Sequence, residues 1–119
     1  MTQAQTMATI LAMPSPLRFQ ILLDKDVAAH FSQIERRDHG LILDEIEQQL
    51  TFEPAVPTRN RKPLRTPNRL NATWELRCGA GNHYRVFYDV DLVSRLVIVL
   101  AVGRKMGSTL VIGKEKFEL

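Results

Sequence analysis

The sequence predicts an α+β fold: an N-terminal strand, a helical hairpin, then a mainly antiparallel three-stranded meander. Three observations carry this. Apolar residues recur at helical spacing up to Leu50 and alternate, or run on continuously, after Ala72. A proline-rich basic stretch separates the two regimes. The continuous apolar run "RLVIVLAVG" near the C-terminal end reads as the central strand of a covered sheet.

At 119 residues the chain has room for one domain with a real core. We assign that domain to residues 17–119 and read residues 1–16 as a flexible leader. The leader has no Lys or Arg, so it lacks the charged start of a signal peptide. Its apolar stretch "MATILAM" is too short to cross a bilayer. An apolar content of 45% with 24% charged residues excludes wholesale disorder. The single cysteine, Cys78, forms no internal disulfide and fits a reducing interior, and no Cys/His pair has zinc-ligand spacing. A soluble cytoplasmic protein without metal, cofactor or membrane partner is expected.

The elements follow in order. "LRFQILL" is a strand that ends at Asp24, which caps the next helix, with Asp26 placed near that helix's positive end. In "DKDVAAHFSQIERRDHG", Val27, Phe31 and Ile34 have helical spacing and Gly40 suits the stop. The second helix, "LILDEIEQQL", places Leu43, Ile46 and Leu50 on one face. Four prolines between Glu53 and Asn71 then exclude a regular helix or a central strand. That connection carries Arg59, Arg61, Lys62, Arg65 and Arg69 against one acid, Glu53. "ATWELRC", "NHYRVFYDVD" and "RLVIVLAVG" are the three meander strands. The closing "STLVIGKEKFEL" reads equally as an edge strand or a helical turn.

The net charge of +3 leans toward anionic partners, and its distribution says more than its total. Arg77 and Arg85 sit on consecutive strands around "GAG". A two-residue loop would pair Arg77 with Tyr84 and separate the guanidiniums. A three-residue loop, Gly79–Gly81, would pair Cys78 with Asn82 and Glu75 with Arg85, making the two arginines diagonal neighbours on one face. Glycine at the last loop position favours the three-residue register. A cross-strand ion pair between Glu75 and Arg85 on a wet surface is the plain alternative to an anion site. Arg104 and Lys105, at the end of the last meander strand, and the basic loop add positive charge that suits a phosphate backbone. His83, Tyr84 and Glu75 are the nearby groups able to carry protons. Trp74 and Tyr88, at alternating strand positions, read as core.

Four features together resemble the RelE/ParE superfamily of bacterial toxins from type II toxin–antitoxin modules. They are the strand-then-hairpin order, "KPLR" before the sheet, "WELRCGAGNHYRVFYDVD", and "VIVLAVGRK". The resemblance runs from about Phe19 to Gly107. It implies a compact domain with the helical hairpin packed on the sheet, and a cognate antitoxin that neutralises it and through which alone it meets operator DNA. It also implies one of two targets. RelE-like members act at the ribosome and cut messenger RNA; ParE-like members poison DNA gyrase. An inactive, antitoxin-binding homologue is a third possibility.

Under the first reading the chain is a ribosome-dependent, metal-independent endoribonuclease. By resemblance Arg85 contacts the scissile phosphate, Arg104 or Lys105 matches the basic pair after "VG", and Arg77 matches the "LR" arginine. Arg65 matches a further RNA-binding position, in a loop whose Arg59, Arg61, Lys62 and Arg69 are also read as RNA-binding. His83 joins the arginines as candidate catalytic residue. Thr73 and Glu75 stand where RelE-type enzymes carry two lysines, and Val111 falls at the place of a tyrosine.

Overall fold

The strand with the longest apolar run organises the molecule. The computed structural model describes residues 18–118, in which Leu96–Met106 forms β5 at the centre of a seven-stranded sheet. The proposed leader lies outside the described residues. β2 (Arg61–Pro63), β3 (Trp74–Cys78), β4 (Tyr84–Asp91), β5, β6 (Thr109–Ile112) and β7 (Glu115–Glu118) follow one another across the sheet as antiparallel neighbours. β1 (Gln20–Leu23) runs parallel to β5 over Leu96–Val99, on the same edge that β6 takes farther along.

The meander is thus longer than expected at both ends. The C-terminal segment forms a hairpin rather than one edge strand or turn. The basic connection contributes β2, whose Pro63 is tolerated because β2 is an edge strand.

The helical hairpin is also shorter on its first arm than predicted. α1 covers only Val27–Phe31, where the Ser32 hydroxyl donates to the Ala29 carbonyl and competes with the helix ladder. A short 3₁₀ turn, Arg36–Asp38, leads directly into α2, His39–Leu50. Gly40 therefore lies in the first turn of α2 and stops nothing. The Asp24 carboxylate accepts from the Asp26 N–H, ahead of the helix rather than as its cap. α2 buries Ile42, Ile46 and Leu50, four residues apart, whereas the expected Leu43 is 44% exposed.

Side chains alternate across the sheet and give it two unlike faces. Val27, Ile34 and the α2 stripe pack on Leu76, Cys78, Val86, Tyr88, Val97, Val99 and Val102, which form the helix-side core. Trp74 stacks on Tyr88 against this core, as its alternation predicts. The opposite face holds a smaller cluster of Phe87, Ala101, Leu110 and Ile112, over which Leu64, Leu70 and Ala72 of the basic connection fold.

Between β1 and β6 the edge of β5 has no strand partner among the described residues, and α1 fills the gap. His30 Nδ1 accepts the Val102 N–H at 3.2 Å. Burial holds the His30 imidazole below its ordinary range, against the pull of Asp26, Asp24 and Glu115. A neutral ring with a free Nδ1 lone pair is what this bond requires.

Candidate nucleic-acid interface

The β3–β4 hairpin sets the site. Cys78 pairs with Tyr84, so Gly79–His83 form a five-residue loop rather than the three-residue loop predicted from sequence. Gly79 and Gly81 have positive φ, and a short 3₁₀ turn over Ala80–Asn82 takes up the extra residues. In this register Arg77 lies directly opposite Arg85, and Glu75 opposite Phe87. The two arginines are direct cross-strand partners on one face rather than diagonal neighbours.

Two like charges in direct register repel. One carboxylate oxygen answers both: Glu75 Oε2 accepts from Arg85 Nη1 at 2.7 Å and from Arg77 Nε at 3.0 Å. The cross-strand ion pair expected as the plain alternative is therefore present, with Arg77 as a second donor. It is not a wet surface pair, because Glu75 and Arg85 are each only 7% exposed. Arg85 Nε also donates to the Asn82 carbonyl and closes the loop onto the strand.

The same face carries Lys62, paired with Glu75 in register. Gly103 of β5 faces Arg85, so Lys105, two residues on, falls on this face as well. Lys105 N–H donates to the His83 carbonyl and fastens the hairpin loop to β5. Arg104 alternates to the helix side, opposite Tyr84. The "GRK" pair thus divides between the faces, and Lys105 is the member that joins the arginines.

His83 and Tyr84 also leave the arginine face. The His83 ring meets Tyr84 edge-on at 4.8 Å. Both line a cleft of about 300 Å³ with Arg37, Asp38 and Leu41. The Tyr84 phenol donates a short hydrogen bond to Asp38, and burial together with that bond pushes its pKa up to about 12. Cys78 is buried, its thiol pushed up to about 12 by burial.

The basic connection divides too. Arg61 is buried on the helix side, where its Nε donates to the Val56 carbonyl and its Nη1 to the Gln49 carbonyl and side-chain oxygen. It tethers the loop to the last turn of α2, whose carbonyls lack helix partners. Arg59 and Lys62 are exposed. Arg65 and Arg69 rim an apolar groove of about 320 Å³ with Leu64, Phe87 and Phe117, and Arg69 stacks over the Phe117 ring at 4.3 Å. The sequence sets Glu75 beside Arg85 as a cross-strand partner; what it does not show is the second bond, from Arg77 to the same oxygen. Val111 pairs with Arg104 on β6. Thr73 donates its hydroxyl to Asp89.

No protein-family model matches the sequence, and no curated protein matches it. Among solved structures, a chain of the RelBE2 toxin–antitoxin complex from Mycobacterium tuberculosis superposes with a TM-score of 0.61 at 22% identity. The match covers 75% of this chain and 93% of that one. Beyond the shared sheet-and-helix layout, the arginine face lies on the same hairpin strands from which the sequence resemblance was drawn. The chain therefore has the RelE-like α+β fold that its sequence resembles.

Proposed function

We propose that this chain is the toxin of a type II toxin–antitoxin module, held inactive by a cognate antitoxin, and that it cleaves messenger RNA at the ribosome in the cytoplasm. The observation that carries the reading is the direct pairing of Arg77 with Arg85 on a face that also bears Lys62 and Lys105. The likeness to a chain of a toxin–antitoxin complex supports the module and the antitoxin partner.

The chemistry follows from these groups. The RNA 2′-oxygen attacks the adjacent phosphorus, the P–O5′ bond breaks, and a 2′,3′-cyclic phosphate and a 5′-hydroxyl result. Arg77, Arg85 and Lys105 offset the charge that builds on the phosphoryl oxygens. Glu75 takes the proton from the 2′-hydroxyl, and the leaving 5′-oxygen takes one from water, since His83 lies off the arginine face in the cleft with Tyr84. Arginine, always protonated, serves neither transfer. Arg65 and Arg69 guide the strand past the groove, with Arg59 and Lys62 as outer contacts.

Expression without antitoxin is expected to arrest translation, with primer extension showing breaks phased to the reading frame. Arg85→Ala is expected to relieve the arrest and remove the breaks. Full toxicity of Arg85→Ala would overturn the site assignment.

A second reading, a non-catalytic inhibitor of DNA gyrase, draws on one observation: Thr73 and Glu75 occupy the lysine positions and are engaged within the fold. Inhibition of supercoiling by purified protein, with no breaks in messenger RNA, would favour it.

A further inference from the structure

The site proposed above for a phosphate already contains an anion. Glu75 lies where the two guanidiniums converge, and a single oxygen, Oε2, takes both of their bonds. Each guanidinium carries five N–H groups. Arg77 spends one, on Glu75, and Arg85 spends two, on Glu75 and Asn82. Neither has another acceptor among the described residues. By contrast Arg61, equally buried, divides its bonds among three neutral oxygens and faces no carboxylate.

Glu75 thus stands on one face with the cationic Lys62, Arg77, Arg85 and Lys105. A phosphodiester presents two non-bridging oxygens and accepts fork-wise from guanidinium groups, so it uses donors that Glu75 leaves idle. Arg77 keeps a partly exposed side chain, 29% against 8% for Arg85, and gives the route of entry.

We propose that Glu75 is an internal counter-ion that fills the anion site of the free protein and is displaced from the arginines by an entering phosphodiester. This rests on the reading of the arginine face as a phosphate site. Glu75 sets the affinity of that face for RNA: it weakens binding to any exposed strand and leaves tight engagement to a strand already bent and held in place.

The test needs neither ribosome nor cleavage. Binding of a short 2′-O-methylated RNA, which cannot be cut, is measured for wild type and Glu75→Gln across a range of salt. Removal of the internal charge is expected to tighten binding about fivefold, the worth of one screened ion pair. The salt dependence should steepen by about 0.7, one further single-strand phosphate neutralised. Inorganic phosphate should raise the melting temperature of Glu75→Gln more than that of wild type. Equal or weaker RNA binding with an unchanged salt slope overturns the proposal and leaves Glu75 as a structural ion pair.

Should Glu75→Gln fail to fold, Glu75→Asp, with its carboxylate drawn back by one methylene, is expected to bind more tightly than wild type. In the wild type, the Arg77 and Arg85 Nε–H resonances should then shift saturably with inorganic phosphate. Unchanged affinity and unshifted resonances overturn the proposal equally. Absence of phased breaks with the wild type would remove the endonuclease reading alone, since binding is scored separately.

Discussion

The two faces of the sheet use buried arginine in opposite ways. On the helix side Arg61 is 7% exposed and bonded to the Gln49 and Val56 carbonyls and the Gln49 side chain. On the other face Arg85 is just as buried, but it shares a carboxylate with a second arginine in direct register. Neutral backbone acceptors fix a guanidinium to the fold. A shared carboxylate holds two guanidiniums together and leaves most of their donors unused. Burial alone does not separate a structural arginine from a site arginine; the kind of acceptor does.

The largest expected effect sharpens this contrast. Arg61→Ala removes three charge-assisted bonds and strands the carbonyls at the end of α2, which should cost about 3 kcal/mol. For a domain of about 100 residues that lowers the melting temperature by more than about 10 °C. Arg77→Ala, whose side chain is partly exposed, should cost below about 1 kcal/mol. RNA binding should rank the two the other way: Arg77→Ala weakens it and Arg61→Ala, where folded, leaves it near wild type. Melting curves and oligonucleotide titrations of both variants check the pair of rankings. A mild loss of stability in Arg61→Ala would break the comparison.

Much of this layout was legible beforehand, and the failures have physical causes. Alternation in "WELRC" and the continuous "RLVIVLAVG" placed β3 and β5, because a strand's burial pattern is local. The common face of Arg77 and Arg85 was also anticipated, yet through the wrong register. Two glycines with positive φ admit several loop lengths, and only pairing across the whole hairpin chooses among them. The expected and observed registers differ by two residues, which preserves the face of every side chain, whereas a shift of one would have reversed it. Leu43 is not core: Ile42 and Leu43 are both apolar and stand four and three residues before Ile46, so helical spacing admits either and only packing on the sheet selects Ile42. The role of Arg61 was beyond reach, since Gln49, which takes two of its three bonds, lies twelve residues back at a helix end. Composition marks the basic loop as one patch, while folding sends Arg61 to the helix side and leaves Arg65 and Arg69 over the apolar groove.

A smaller effect separates the helix face from a working acid–base site. Tyr84 and Tyr88 are the chain's two tyrosines. The Tyr84 pKa is pushed up to about 12 by burial and the bond to Asp38, and burial moves Tyr88, which donates to the Pro54 carbonyl, upward as well. Both groups favour the folded state while protonated. Their contribution is complete below the unfolded pKa of about 10 and is lost as pH rises through the folded values. Absorbance at the tyrosinate band should thus stay flat through about pH 10, where free tyrosine is half ionised. Tyr84→Phe should lower stability by about 1 kcal/mol and leave RNA binding unchanged. A tyrosinate signal below pH 10 in folded protein would show a phenol in contact with solvent on the helix face.

The smallest effect lies at the edge of β5, where His30 takes the place of a missing strand. Its imidazole titrates below the ordinary histidine range because burial disfavours the charge, although Asp26, Asp24 and Glu115 favour it. The unfolded chain takes up the proton more readily, so stability is complete above about pH 6.5 and declines as pH falls through that value. Protonation also removes the lone pair that accepts the Val102 N–H. His30→Gln keeps an acceptor within reach but cannot titrate. Urea midpoints at pH 7.5 and 5.5 should therefore fall further for wild type than for His30→Gln, with the two proteins close together at the higher pH. Equal declines would show that the β5 edge is held by the strands on either side of the gap, and that the bond to His30 adds nothing to them.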